Sequence, residues 1–418
     1  MRDMNGPYKL PEGWKWVRLG EVCEINPPRP RDFYRHPETP TTFVPMAAVD
    51  ERTGTIFKAE IVPYFKVAKG YTYFEENDVL FAKITPCMQN GKHVIAKNLI
   101  DGIGFGTTEF HVLRPKKDII LSEWIWFFIR QAHFLQEATA YFTGAVGQQR
   151  IPESFLKDYL IPLPLLPEQR RIAEKLREIM SEIEKARTAC KRQLEAVKAL
   201  PSAYLREVFE SEEAKKWEKR RLGEVLSIIE SGSRPKGGVQ EVKEGIISIG
   251  AEHLNSYGGF NFANVRFIPN AFYQTMKRGK IQKGDVLIVK DGATTGKTSI
   301  VDDDFPYKEA SINEHVFRLR GKENLLTQQF LFWFLYSPQG QFQIQQEFHG
   351  SAQGGINQKF IYGVRIPLPP LPTQQRIANY LKEKMSEVEK LRQAVERQLE
   401  TINALPQAYL RKAFRGEL

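Results

Sequence analysis

The chain has 418 residues, 42% of them hydrophobic, with three cysteines and a formal net charge of +10. This length accommodates two to four domains, and the apolar content excludes a disordered chain. Cys23, Cys87 and Cys190 are too few and too far apart for a disulfide framework or a paired-cysteine zinc site, which points to a reducing compartment. The positive balance favours an anionic partner, nucleic acid or a membrane surface, without choosing between them. The N-terminal stretch carries no apolar signal core. The longest strongly apolar run, 124–129, is far shorter than the ~20 residues of a membrane span. The expected location is the cytoplasm.

In chain order, the first globular stretch opens on Trp14-Lys-Trp-Val-Arg-Leu-Gly-Glu-Val22 and Asn26-Pro-Pro-Arg29. The second of these is similar to the N/D-P-P-aromatic turn of amino-methyltransferases. Arginine stands where the base-stacking aromatic would be, however, and no Gly-rich strand–turn–helix for a methyl-donor cofactor is near. Short apolar runs bounded by Gly, Pro and Asn predict strands over 43–46, 79–82, 94–96 and 110–113. Ser122 is the expected N-cap of an aromatic helix. Residues 144–150 follow as a loop rich in hydrogen-bonding side chains.

Residues 161–209 are then repeated at 366–414 without a gap, at an offset of 205, with 31 of 49 positions identical. A long-period repeat of this kind has to be recognised before the fold is assigned. Each copy opens on a Pro-rich entry, extended because proline fixes φ and cannot donate to a ladder. A long helix follows, 168–200 in the first copy, about 50 Å at ~1.5 Å per residue. Pro201 and Pro406 are expected to kink or restart it. Apolar residues at spacings of four and three mark a coiled-coil seam: Ile172, Leu176, Ile179, Ile183, Leu194 and Val197, then Ile377, Leu381, Val388, Leu391, Val395, Leu399 and Ile402. A stripe this narrow suits one partner helix, and the obvious equal partner is the other copy; the alternative is that each helix covers a larger core.

The second globular stretch repeats the landmarks of the first, including Trp217, Leu222-Gly-Glu-Val225 and Gly284-Asp-Val-Leu287, the last matching Asn77-Asp-Val-Leu80. Strands are expected over 246–249, 286–289, 299–301 and 315–319, and Thr327 as the N-cap of a second aromatic helix. Gly292-Ala-Thr-Thr-Gly-Lys-Thr298 is one residue short of a P-loop between its glycines, and a strand rather than a helix should follow it, so nucleotide binding is not expected. The seven histidines are scattered without metal-ligand spacing, Asp302-Asp-Asp304 reads as a solvated acidic turn, and no metal site or catalytic residues are expected.

The remaining chemistry is recognition. Arg and Lys read guanine, Asn and Gln read adenine, and Ser or Thr read either. Clusters of these occupy the loops: Arg29 and Arg31; Lys83, Gln89, Asn90 and Lys92; Gln148, Gln149 and Arg150. The second half has Arg234 and Lys236; Lys290, Thr294, Thr295 and Lys297; Gln353, Asn357, Gln358 and Lys359. Each alone could be an ordinary solvated loop residue.

At the IPLPxxxxQxRIA entry, the long helix, the ALPxAYLR segment and the ending Ala413-Phe-Arg-Gly-Glu-Leu418, the chain resembles the specificity subunit of type I restriction–modification systems along its whole length. The resemblance implies an α+β fold. Two α/β target-recognition domains (1–167 and 212–371) are separated by two helical regions (168–211 and 372–418) that form an antiparallel coiled coil with pseudo-twofold duplication. It implies a non-catalytic, sequence-specific binder of double-stranded DNA with a bipartite, asymmetric target. The expected partners are two modification (methyltransferase) subunits, which bring S-adenosylmethionine, and restriction (translocase/nuclease) subunits, which bring ATP with Mg. The competing reading is a coiled-coil scaffold that binds protein or RNA.

Overall fold

The computed structural model describes residues 6–145, 148–239, 242–350 and 354–418. The chain divides into two compact units, Met1–Lys191 with Arg397–Leu418, and Arg192–Glu396. Each unit therefore takes in the beginning of one long helix and the end of the other.

In unit 1 one sheet runs in the order Cys23–Ile25, Phe110–Pro115, Val79–Ala82, His93–Ile95, all antiparallel. A second sheet orders Glu60–Pro63, Pro40–Val44, Ile103–Gly106, Thr72–Glu75, with its central pair parallel. The Val79–Ala82 strand explains its own composition. Val79 and Phe81 face the aromatic helix Ser122–Ile129, while Leu80 and Ala82 face the core shared with Val44 and Phe74. A strand covered on both faces reads as an unbroken apolar run rather than an alternating one. Unit 2 repeats the device: Val286 and Ile288 join the cluster of the helix Gln328–Tyr336, and Leu287 and Val289 join the opposite one. Its sheets are Leu226–Ser231, Val316–Gly321, Val286–Val289, Thr298–Ile300, and a three-stranded one in which Ile246–Ile249 runs parallel to Ala310–Ile312.

The repeated Asn/Gly-Asp-Val-Leu landmark is a buried ion pair. The Asp78 carboxylate accepts from Arg114 Nε at 2.9 Å and Nη2 at 2.8 Å, and from the Glu75 backbone N–H. Asp285 accepts from Arg320 Nε at 2.9 Å and from the Gln282 N–H, and is ion-paired with Arg318, whose Nε lies 2.8 Å away. A buried carboxylate needs this many donors to repay its lost hydration.

Both Pro-rich entries are strands, contrary to the expectation that proline would keep them out of a ladder. Leu160–Leu163 pairs antiparallel with Lys15–Arg18, and Arg365–Pro367 with Lys219–Arg221. In a two-stranded ribbon each strand has a free edge, which accommodates the missing N–H of Pro162. The helices then begin at once. They run Leu166–Phe209 and Leu371–Phe414, 44 residues each, straight through Pro201 and Pro406 rather than restarting there.

The helix starts are pinned by one buried glutamine each. Gln169 Oε1 accepts from Leu121 N at 2.9 Å, and its Nε2 donates to Ile119 O and Pro164 O. Gln374 repeats this with Thr327 N, Leu325 O and Pro369 O. These bonds also set the true register of the duplication at the aromatic helices. Leu121, not Ser122, is equivalent to Thr327. Thr327 caps its helix through Phe330 N, as expected, whereas Ser122 lies inside its helix and donates its hydroxyl to Asn77 O.

Along both long helices the buried positions recur in register: Ile172, Leu176, Ile183, Cys190, Val197 and Leu205, and their equivalents Ile377, Leu381, Val388, Val395, Ile402 and Leu410. Ile179, Leu194 and Leu399 are half-buried at the edge of this stripe. Leu391, expected in the seam, is 41% exposed; its neighbour Arg392 instead spans Glu389 and Glu396 beside it. The packing is antiparallel. In unit 1 Arg171 reaches Leu418 O and Arg187 reaches Asn403; in unit 2 Tyr380 approaches Glu207 and the end-on aromatic pair is Tyr204–Tyr380.

Gln374→Ala strands three backbone groups and should cost on the order of 3 kcal/mol in chemical denaturation. Burial holds the imidazoles of His93, His111 and His133 below their ordinary value, so each favours the neutral form in the folded protein. At these histidines the unfolded chain binds more protons than the folded one below about pH 6.5. The contribution of these three histidines to stability is therefore full above that pH and should be lost as pH falls towards 5, measured as a falling urea midpoint of the whole chain that His93→Phe reduces.

Candidate nucleic-acid interface

Each unit carries a polar cleft at the same place in its fold, the end of the doubly covered strand. In unit 1 the cleft is about 420 Å³ and is lined by Asn26, Arg29, Tyr71, Tyr73, Lys83 and Phe105 among others. Lys83 directly follows the strand Val79–Ala82. Its backbone N–H donates to Glu109 O at 2.9 Å and its carbonyl accepts from Ile151 N at 2.9 Å. Burial lowers the ammonium pKa, opposed in part by the Glu109 carboxylate nearby. Arg29 is steered into the cleft by bonds to Tyr64 Oη and Ala68 O, and stacks 5.5 Å from the Phe33 ring centre.

Asn26 holds a turn at the edge of the cleft. Its φ is +52°. Its Nδ2 donates to Glu153 Oε2 at 2.7 Å and lies 2.9 Å from His111 Nδ1, and its Oδ1 accepts from Val112 N at 3.0 Å. The His111 Nε2 lies 2.8 Å from Ile151 O, so a neutral imidazole that donates there and accepts from Asn26 satisfies both contacts.

The other residues expected in unit 1 are spread out. Gln89 and Asn90 line a different cavity, of about 490 Å³, with Arg130, Gln136 and Gln407. Lys92 spends its ammonium on the Val49 carbonyl at 3.0 Å, and Arg130 fixes the same turn through Gly91 O. Arg150 is committed in a fork to Glu109, at 2.9 and 2.8 Å, with Nη1 on Gln148 O. Its role is to hold the loop that presents Gln148, which is exposed, and Gln149, whose carbonyl accepts from Thr85 N. Arg31 is exposed.

In unit 2 the cleft is larger, about 960 Å³, and is lined by Arg278, Lys290, His349, Asn357, Gln358 and Lys359 among others. Four residues expected from sequence thus meet in one place. Lys290 is held as Lys83 is, through its N–H to His315 O at 3.0 Å and Ile356 N to its carbonyl at 2.7 Å. Its ammonium lies 5.6 Å from the Phe317 ring centre and 3.9 Å from Asp291 Oδ2, and Asp291 in turn meets His315 Nδ1 at 2.6 Å. Arg234 is paired with Glu314, and Lys236 is exposed in a turn. Thr294, Thr295 and Lys297 do not line the cleft. Their turn has Gly292 and Gly296 at φ of +86° and +88°, conformations that favour glycine. It docks on the helix Pro338–Gln346 through Gln341 Nε2 to Gly296 O and Gln345 Nε2 to Thr295 O. The strand Thr298–Ile300 follows, so the turn does not open a helix as a P-loop must. Gln353 lies outside the described residues.

Sequence reasoning missed Arg278 and the tyrosines Tyr71 and Tyr73. The signal for Arg278 was present in the basic run Lys277-Arg-Gly-Lys280. Among the described residues no cluster of His, Cys, Asp or Glu could hold a metal ion, and no helix is long and apolar enough to cross a membrane.

A model of the type I restriction modification DNA specificity domain matches residues 11–190 and 214–400. The specificity subunit of the EcoEI type I restriction enzyme of Escherichia coli is 40% identical over 174 residues, 42% of this chain and 29% of that protein, so the chain spans under a third of this relative's length. The putative MjaX specificity subunit of Methanocaldococcus jannaschii is 23% identical over 400 residues, 90% of this chain and 87% of that one. Among solved structures, the HsdS subunit of Thermoanaerobacter tengcongensis matches with a TM-score of 0.70 and 27% identity, over 99% of both chains. A chain from a structure described as showing complex assembly and conformational transition of a type I R-M system matches with a TM-score of 0.80 and 27% identity, over 99% of this chain and 100% of that one. With two matched domains, two long helices packed antiparallel and a duplicated cleft, the chain belongs to the type I restriction–modification DNA specificity family and has the HsdS-type fold.

Proposed function

We propose that the chain is the DNA-recognising subunit of a type I restriction–modification complex, reading a bipartite and asymmetric duplex target with one half-site per unit. The observation that carries this reading is the pair of clefts: built at the same point of a duplicated fold, yet lined by different side chains. A duplicated frame suits the pseudo-dyad of the duplex, and different linings suit two unlike half-sites. A plain scaffold needs no such difference, so the scaffold reading is not favoured. The basic balance of the chain supplies the sequence-independent attraction, which makes binding weaken with salt.

In this reading the chain performs no chemistry and works in the cytoplasm. Two modification subunits hold S-adenosylmethionine and methylate the site this chain selects; restriction subunits use ATP with Mg. The two long helices set the distance between half-sites, expected at about one helical turn of DNA, ~34–36 Å, or slightly more.

Selection from a random duplex pool, with the modification subunit present, should enrich two unlike short blocks at one spacing. A single contiguous block would reject the bipartite target, and absence of enrichment from a folded complex would reject DNA recognition altogether. Lysine at both Val197 and Ile402, the buried seam positions, should preserve the blocks but broaden their spacing. A spacing as sharp as in the parent chain would count against the helices as the ruler.

A further inference from the structure

We infer that Lys83 and Lys290 are one and the same contact used twice, a lysine that grips the DNA backbone at each half-site, while the residues around each lysine read the bases. This rests on the DNA-recognition reading above and assigns the roles within it.

The two lysines are equivalent in structure, not only in sequence. Each is the first residue after the doubly covered strand, Val79–Ala82 or Val286–Val289. Each donates its N–H to a carbonyl on the loop entering the neighbouring strand, Glu109 O or His315 O, and each accepts at its carbonyl from an isoleucine N–H, of Ile151 or Ile356. The bonds on both sides set the backbone of each lysine at the same point of its unit. Both side chains then line the cleft of their own unit.

Their surroundings are not equivalent. Around Lys83 stand Arg29, Tyr71 and Tyr73, with the Glu109 carboxylate close by. Around Lys290 stand Arg278, Asn357, Gln358 and Lys359, with Asp291 3.9 Å away. If the half-sites differ in sequence, a residue held in one place in both units must meet what both halves share, and that is the phosphodiester backbone. A lysine suits this role, because its ammonium is a point charge on a flexible stem, whereas the planar fork of arginine and the paired donor and acceptor of Asn and Gln suit base edges. The partial burial of both stems limits their motion and leaves the ammonium less well hydrated than one in open solvent.

The test measures duplex binding by the full chain with its modification subunit, across a salt series, on the selected target and on a random duplex of equal length. Lys83→Ala and Lys290→Ala should each weaken binding to both duplexes by a similar factor, about 5- to 10-fold, and reduce the slope of log K against log salt by about 1. Selection with either variant should return the parent's two blocks. Lys83→Arg and Lys290→Arg should restore most of the affinity, and serve as the decisive variants should an alanine chain fail to fold. A block that changes at one base position, or a loss confined to the selected target, would make the lysine a base reader and overturn the inference. Unchanged affinity on both duplexes would also overturn it. If the parent chain binds no duplex, the parent reading fails with it; if the parent binds and only the lysine variants depart from expectation, the failure is confined to this assignment.

Discussion

The interaction on which the rest depends is the insertion of each helix end into an aromatic core. Phe414 packs against Trp124 at 4.5 Å and Phe128 at 5.2 Å between ring centres in unit 1, and Phe209 packs against Phe330 and Phe334 in unit 2. Leu410 and Leu205 sit one turn earlier in the same cores, opposite Ile172 and Leu176, or Ile377 and Leu381. Each core includes the end of a long helix, Leu410, Ala413 and Phe414 in unit 1 and Leu205 and Phe209 in unit 2. Truncating a phenylalanine so placed typically costs about 3–5 kcal/mol. That docking accounts for the repeat of ALPxAYLR beyond the helical seam, and it offsets the ~3 kcal/mol that a proline inside a helix costs at Pro201 and Pro406.

Between the docked ends the helices contribute much less apolar contact. From Leu176 to Val197, and from Leu381 to Ile402, a fully buried residue recurs only every seventh position. The flanks carry ion pairs of the kind formed by Arg392 with Glu389 and Glu396, and exposed pairs add little to stability. The seam is thus held in register by a few apolar residues, with the globular cores and the two buried glutamines fixing its ends. Leu391 shows how narrow the stripe is: an apolar residue at an acceptable spacing still falls outside it.

The clefts follow a different rule. Their frames are built from backbone hydrogen bonds repeated in both units, so they survive extensive change of side chains. Several cations that sequence alone groups with the cleft turn out to hold that frame. Arg150 is locked on Glu109 and Arg234 on Glu314, while Lys92 is held on a carbonyl away from the cleft. Arginine and lysine in a loop look alike in a sequence whether they face solvent, a carboxylate or a ligand, because nothing local in the chain decides which of these comes within reach.

The duplication, the two long helices with most of their seam, the doubly buried strands 79–82 and 286–289, and the departure of residues 292–298 from a P-loop are all legible in the amino-acid sequence. These are periodic or local properties, carried by spacing, propensity and turn chemistry. The sequence also placed Lys290, Asn357, Gln358 and Lys359 in candidate loops. That these four share a cleft with Arg278, while Gln89 and Asn90 line another, emerges from the folded chain. The folded chain shows too that the proline entries pair as strands, that Leu121 rather than Ser122 matches Thr327, and that the helices end inside the aromatic cores. The reason is the same in each case: these are contacts between residues tens to hundreds of positions apart, and the partner that satisfies a hydrogen bond or fills a core is selected by packing rather than by the neighbours in sequence.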